Sequence, residues 1–162
     1  MLSDFALAPE DLPPRLTRLR EEVRQFLAEE LAAGSYGREP AGWDRYDPPF
    51  SRKVGARGWI GMTWPREYGG HARSALERHV VTEELLSAGA PVRAHWMADR
   101  ELGPLLLHVG TEAQKRRYLP RIAAGECYCC VGLSEPDSGS DLASIRVNIP
   151  DGDPDLIKLL RE

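Results

Sequence analysis

Residues 13–34 read PPRLTRLREEVRQFLAEELAAG, and apolar side chains recur along this stretch at steps of three and four residues. The apolar positions are Leu16, Leu19, Val23, Phe26, Leu27 and Leu31. An α-helix turns once every 3.6 residues, so this spacing places all of them on one face. Gly34 follows as a residue suited to end a helix. The stretch therefore predicts a long amphipathic helix with a buried apolar stripe.

Two further helix starts are marked by capping boxes. Ser74 is followed by Glu77, and Thr111 by Gln114. In this pattern each side chain accepts a hydrogen bond from the other residue's backbone N–H, which satisfies donors that a helix start leaves free. The same periodicity predicts a short helix over 50–57 and a long one over 92–109. We expect the long helix to kink at Gly103 and Pro104, because proline removes a backbone donor.

The composition changes at residue 126. Residues 127–133 are rich in strand formers, residues 134–141 form a polar turn cluster, and residues 144–149 resemble another strand. We therefore predict a mainly α chain, with a helical domain over 1–125 and the start of a β domain over 126–162.

Composition excludes several classes of function. The 162 residues fit about one domain, and the net charge of −4 gives no indication of a nucleic-acid or membrane-surface binder. Apolar runs are too short to span a bilayer, and the N-terminus does not resemble a secretory signal. Three cysteines, at 127, 129 and 130, do not suit a disulfide framework. We expect a cytoplasmic protein, with Cys127 and Cys129 on one face of a strand and Cys130 on the other.

Few residues suggest chemistry on their own. The four histidines include no pair at helical metal-site spacing, and no second ligand cluster follows the cysteines, so we expect no metal site. Dinucleotide, P-loop and hydrolase motifs are absent from the sequence. The stretch LSEPDSGSD at 133–141 has hydroxyls, backbone N–H groups and a glycine that could surround a planar or phosphorylated ligand. A plain polar turn between two strands is the alternative.

Three stretches together resemble the acyl-CoA dehydrogenase family. MTWPREYGG at 62–70 resembles that family's WPxEYGG segment, and VGTEAQKRRYLP at 109–120 resembles its G(T/N)xxQKxxYLP helix. LSEPDSGSD resembles its (T/S)EPxxGSD signature. The three occur in the family's order, with predicted helices between them.

The resemblance implies an N-terminal helical domain, a middle β domain and a C-terminal helical domain, in dimers or tetramers. It implies FAD as cofactor, an acyl-CoA thioester as substrate and an electron-transfer carrier as partner. A carboxylate removes the α-proton while a hydride leaves the β-carbon for the flavin, giving a 2-enoyl-CoA.

Site residues follow from the same resemblance. The cofactor-binding positions are Val131, Leu133, Ser134, Gly139 and Ser140. Leu133 and Ser134 would contact the flavin ring, and Ser140 would reach the flavin phosphates or CoA. Ala94 and Met97 would line the acyl tunnel.

The sequence also departs from the family. Members are usually more than twice as long, and their catalytic base and second flavin-contacting stretch lie in parts that have no match here. We expect a truncated or partial chain that is inactive alone, with its catalytic residue unknown. Two alternatives stay open, namely a non-catalytic partner subunit of a heteromeric dehydrogenase and a helical scaffold without a ligand. The acyl group, the electron acceptor and the oligomeric state are not determined by the sequence.

Overall fold

A computed structural model describes residues 12–37, 44–130, 136, 138–141 and 144. Its helices, in chain order, are α1 (Pro14–Ala32), α2 (Pro48–Ala56), α3 (Ala75–Ser87), α4 (Arg93–Met97), α5 (Gly103–Val109) and α6 (Glu112–Ala123), with a 3₁₀ turn at Arg66–Tyr68 and a π-helical segment at Ala98–Leu102. The mainly helical fold predicted from the sequence is confirmed.

The helix starts reflect their local sequences. Ser74 and Thr111 form the predicted capping boxes at α3 and α6. The helix predicted to begin at residue 50 begins at Pro48, because Asp47 accepts a hydrogen bond from the Phe50 backbone N–H and proline suits the first turn. Gly125 follows α6 with a φ of 71°, a conformation that favours glycine.

A π-helical turn lies immediately before the position where a kink was predicted, and the kink itself stays a prediction. The backbone stays right-handed helical from Met97 into Gly103, and a π-helical turn occupies Ala98–Leu102 immediately before the proline. Pro104 has no backbone N–H to donate, and the wider π turn before it accommodates that missing hydrogen bond. As a result, α4, the π segment and α5 form one continuous helix. Ala94, Ala98 and Leu106 are buried along it.

The buried and exposed rows along this helix keep a four-residue spacing through the π turn. A face repeated every four residues drifts around an α-helix, which has 3.6 residues per turn. A π turn, in which hydrogen bonds join residues five apart, offsets that drift. The buried row Ala94, Ala98 and Leu106 therefore stays against the core, while the outer row Glu101 and Leu105 stays exposed.

The core lies between α1 and α3 and continues under the other helices. The apolar stripe of α1 packs against α3, α5 against α6, and α2 against α4. The largest fully buried side chains are Phe50, Leu16, Ile60, Met62, Leu106, Leu119, Ile122, Val23, Val54, Val80, Val81 and Val92. Leu31 is only partly buried against this core. In the described part of the chain no helix has the length and apolarity needed to cross a membrane.

The predicted β domain is not confirmed. Residues 126–130 lie in no strand, while most of 131–162 falls outside the described residues. Cys127 and Cys129 are half-buried against the core and Cys130 is exposed, but Tyr128 between them is half-buried as well, so the two-sided arrangement expected of a strand stays a prediction. The proposed boundary at residue 125 stays a prediction.

Candidate functional site

The turn at 138–144 presents two of the five predicted cofactor-binding residues. The Ser138 hydroxyl donates to the Asp141 carbonyl at 2.6 Å, and the Ser144 hydroxyl donates to the same oxygen at 2.9 Å. The two serine Oγ atoms are 2.7 Å apart. These contacts fold the turn around the Asp141 carbonyl. Ser138 is buried, and its hydroxyl is used for hydrogen bonds within the turn itself.

Gly139 and Ser140 lie at the exposed side of this turn. Among the described residues, apart from its two chain neighbours, no atom lies within 4 Å of the position that a Cβ on Gly139 would take, so a ligand could approach the backbone there. The exposed Ser140 hydroxyl can both donate and accept a hydrogen bond. The other predicted cofactor-binding residues, Val131, Leu133 and Ser134, lie outside the described residues.

Of the three predicted substrate residues, Ser140 lies on the turn described above, and the two acyl-tunnel residues lie on α4 in different environments. Ala94 is only 1% exposed and is covered by the helical domain itself. Met97 is half-buried, and its surface is partly open. Glu101, which the sequence interpretation missed, follows Met97 by four residues and is exposed. Of the predicted pair, Met97 is the one a ligand outside the helical domain could touch.

The chain from α6 toward the turn passes close to this helix. The Tyr128 hydroxyl donates to the Gly125 carbonyl, and its ring meets the Tyr46 ring edge-on with centroids 5.6 Å apart. Burial, together with the nearby Cys127, Cys130 and Glu101, raises the pKa of the Cys129 thiol to about 11. Glu101 of the π segment is therefore close enough to Cys129 to influence its charge.

Three polar contacts fix the α4 and π segments from three sides. The Ser51 Oγ of α2 lies 2.8 Å from the His95 Nδ1, and the buried Asp99 carboxylate accepts the Gly61 backbone N–H at 2.8 Å. Arg100 donates to the Thr82 hydroxyl of α3. Sequence interpretation overlooked these contacts, although His95 and Asp99 stand four residues apart, as helix neighbours do.

Burial controls the charges of these groups. It lowers the pKa of His95 to about 3, with a further lowering by Arg100, so this imidazole is neutral at pH 7. Burial also raises the pKa of Asp99, although the Gly61 hydrogen bond and Arg100 oppose that change. The Arg100 Nε lies 3.2 Å from the Asp99 Oδ2, and its guanidinium lies over the Trp96 ring. These groups are used for internal contacts rather than for a ligand.

The described residues include no cluster of three or more potential metal ligands. The arrangement thus offers an exposed polar turn, an exposed row at Met97 and Glu101, and a rigidly anchored helix behind that row. Such a set can bind and orient a ligand, but it contains no nucleophile activated by a neighbouring base.

Comparisons with known proteins match this architecture. The family model described as the N-terminal domain of acyl-CoA dehydrogenase matches residues 13–126. The chain is 37% identical over 146 residues to acyl-CoA dehydrogenase FadE26 of Mycobacterium tuberculosis, covering 86% of this chain and 36% of that protein.

Solved structures agree with the sequence match. The structure described as the Tcur3481-Tcur3483 steroid ACAD superposes with a TM-score of 0.71 at 36% identity, covering 83% of this chain and 35% of that one. A chain of the ChsE4-ChsE5 complex from Mycobacterium tuberculosis gives a TM-score of 0.69 at 33% identity, covering 86% of this chain and 35% of that one. The chain spans about a third of the length of the proteins it matches.

Proposed function

Because the chain belongs to the acyl-CoA dehydrogenase family through its N-terminal domain, we propose that it contributes one side of an FAD-dependent site for α,β-desaturation of an acyl-CoA. The observation that carries this proposal is the turn at 138–144, which is closed by its own hydroxyls and leaves Gly139 and Ser140 open.

The residues of this turn suit the cofactor that the family uses. An uncovered glycine backbone and a free serine hydroxyl are groups that approach and hydrogen-bond a phosphate or the polar edge of a ring. Ser140 would reach the flavin phosphates or CoA, and Val131, Leu133 and Ser134 would lie along the flavin ring. FAD, when bound, supplies the acceptor for the hydride that leaves the β-carbon.

The α4 wall would hold the acyl chain. Met97 offers a flexible apolar side chain with an open surface, which suits contact with an aliphatic or polycyclic group. Ala94 supports this wall from inside the domain, where its small side chain fits under the helix. The anchors at His95 and Asp99 would keep Met97 in position, because preorganised side chains orient a substrate better than mobile ones.

The chain on its own is proposed to be inactive. Desaturation needs a carboxylate within hydrogen-bond reach of the α-proton. Asp99 is buried and accepts the Gly61 N–H, and the sequence motifs identify no other base. The complete enzyme would also need an electron-transfer carrier and would act as a homo- or hetero-oligomer in the cytoplasm.

A second candidate function is that of a non-catalytic subunit in a heteromeric dehydrogenase. Two of the solved relatives are described with two protein names, Tcur3481-Tcur3483 and ChsE4-ChsE5. A chain that supplies the helical wall while another polypeptide supplies the base would suit such an assembly. The description of one relative as a steroid ACAD makes a steroid acyl-CoA the first substrate class to test.

The test is a titration of the purified chain with FAD, followed by an assay with straight-chain, branched and steroid acyl-CoA and an artificial electron acceptor. We expect weak FAD binding and no turnover. A ligand site that buries most of its ligand needs contacts on more than one side, and this chain supplies one. Sub-micromolar stoichiometric FAD binding together with turnover well above background would contradict the proposal.

The subunit role makes a different prediction. A chain that co-purifies with a longer family member, and that restores the flavin spectrum and activity of this partner, would favour the heteromeric function. Weak but measurable FAD binding by the chain alone, with no longer family member co-purifying, would favour the first function.

A further inference from the structure

The loop between α2 and α3 brings two arginines and a histidine close together. Arg66 lies on the 3₁₀ turn, and His71 and Arg73 lie on the stretch that leads from this turn to α3. Arg73 and Arg66 both act electrostatically on the His71 imidazole, so the three groups are neighbours in space. In a chain with a net charge of −4, this local concentration of positive charge creates a field that attracts anions.

The two guanidinium groups have no acidic partner within the part of the chain that the structure describes. Neither Arg66 nor Arg73 forms an ion pair there, and the His71 imidazole forms no hydrogen bond. Glu77 feels the charge of Arg73, but its carboxylate is used by the capping box of α3. Glu67 follows Arg66 and is exposed. The N–H donors of both arginines are therefore available to a ligand.

Backbone hydrogen bonds hold the stretch that carries two of these side chains. The His71 and Arg73 N–H groups donate to the carbonyls of Gly61 and Met62, at 3.3 and 2.7 Å. Ala72 between them has a φ of 49°, in the left-handed region that residues with a Cβ rarely adopt. Strain of this kind persists only where surrounding contacts enforce it, and it is concentrated at functional sites. The loop is thus built in a fixed form at a cost in strain.

The imidazole is held against the end of α2. A Cβ at Gly58 would lie 2.9 Å from the His71 Cε1, so the ring lies directly against this backbone. Burial, together with Arg73 and Arg66, lowers the pKa of His71. A bound anion acts in the opposite direction, because a nearby negative charge favours the protonated ring. His71 is therefore expected to take up a proton when an anion binds.

We propose that Arg66, His71 and Arg73 form a binding site for a phosphate group. Each guanidinium presents a planar fork of N–H donors that matches the spacing of phosphate oxygens, and the imidazole adds a further donor. A doubly charged phosphate suits this set better than chloride or a carboxylate, each of which carries one charge. These residues take no part in the proposed flavin and acyl-CoA site, so either proposal can fail without the other.

Amide NMR of the full ¹⁵N-labelled chain, titrated with sodium phosphate at an ionic strength kept constant with sodium chloride, tests the site. We expect saturable shifts at His71, Ala72 and Arg73. Arg66→Gln and Arg73→Gln are each expected to weaken binding by about tenfold, because each removes a charge-assisted contact, and Arg73→Lys is expected to recover part of the loss. Arg18→Gln is the matched control, because this exposed arginine on α1 forms no ion pair with any described residue.

The histidine gives a second readout. Sulfate keeps its two charges across the neutral pH range, so any pH dependence of its binding comes from the protein. We expect sulfate to raise the pKa of His71, followed through its imidazole C–H signals, and to bind more tightly as the pH falls. The exposed His79 is expected to stay unchanged. His71→Gln keeps a donor but cannot gain a proton, so it is expected to remove this pH dependence, with circular dichroism verifying the fold.

AMP and adenosine separate the two sources of a phosphate group. AMP that binds more tightly than inorganic phosphate, while adenosine causes no shifts, would identify a phosphorylated small molecule as the ligand. Inorganic phosphate that binds at least as tightly as AMP would identify the free ion, and both results support the site. The absence of shifts, shifts that do not saturate, or shifts that persist in Arg66→Gln and Arg73→Gln would overturn the proposal.

Discussion

The Asp99 carboxylate accepts the Gly61 backbone N–H at 2.8 Å, which joins the π-helical segment to the loop that follows α2. Asp99 is only 3% exposed, so this contact is shielded from bulk water. Asp99 lies two residues after Met97, the residue that we place against the acyl group. Its strength therefore determines how firmly the proposed wall is held.

Replacement of Asp99 tests the contact. Asp99→Ala leaves the Gly61 N–H buried without an acceptor, and we expect a loss of about 1–3 kcal/mol in the free energy of unfolding. Asp99→Asn retains a carbonyl acceptor and is expected to lose less. Urea denaturation of both variants gives the comparison. Equal losses for alanine and asparagine would show that the hydrogen bond is not what stabilises the segment.

A second prediction concerns the packing of Gly103. A Cβ at this position would lie 2.0 Å from the Trp64 Cζ2, too close for any side chain. Gly103→Ala is therefore expected to destabilise the fold by about 1–3 kcal/mol through overpacking, even though alanine favours helices. Gly139→Ala is the matched control, because its Cβ would meet open space. A thermal scan in which Gly103→Ala melts at or above the wild-type temperature would refute this packing argument.

His95 predicts a particular pH dependence. Its pKa is about 3 in the folded chain against an ordinary value of 6.5, so the unfolded chain binds one more proton between those values. Its contribution to stability is complete above about pH 6.5 and is lost as the pH falls toward 3, at up to about 1.4 kcal/mol per pH unit. His95→Gln is expected to flatten the profile, measured by denaturation at several pH values.

The control for that profile is His79→Gln, which alters an exposed histidine on α3. Carboxylates contribute to acid denaturation in every variant, so the quantity of interest is the difference in slope from the wild type. If His95→Gln and His79→Gln have the same slope between pH 3 and pH 6.5, the buried imidazole does not account for the loss of stability.

The three cysteines are expected to differ in reactivity. Burial raises the pKa of Cys127 and raises that of Cys129 to about 11, so the reactive thiolate is scarce at neutral pH. Cys130 is exposed. Iodoacetamide labelling followed by peptide mass spectrometry is expected to modify Cys130 first. The three rates should converge in denaturant, and faster labelling of Cys129 in the folded chain would contradict the burial shown here.

The sequence predicted those structural features that depend on residues close together in the chain. The capping boxes at Ser74 and Thr111 and the stripe along α1 needed only residues within a few turns, and the structure confirms them. The sequence did not predict the π segment, whose Asp99 accepts a hydrogen bond from Gly61, 38 residues earlier in the chain. The predicted kink used the local effect of Pro104 and had no access to that distant contact.

The candidate site also has features that the sequence predicted and features that depend on tertiary packing. Motif resemblance identified Gly139 and Ser140 as binding positions, and the structure shows both exposed on one turn. Ala94 is buried and Met97 is partly open because the core covers one side of α4. The spacing of the two residues in the sequence did not reveal which side that is. Glu101 was missed although it follows Met97 by four residues, because no motif of the family singled it out.

The most direct test of the central claim is a two-dimensional amide NMR titration of the ¹⁵N-labelled chain, first with FAD and then with an acyl-CoA. The method detects weak binding, so it remains informative even if one side of a site binds poorly. We predict shifts at Gly139, Ser140 and Asp141 with FAD and at Met97 and Glu101 with acyl-CoA, while α1 amides such as Glu22 stay unchanged. Shifts confined to α1, or none up to the solubility limit of either ligand, would contradict the claim that this chain forms one side of a flavin and acyl-CoA site.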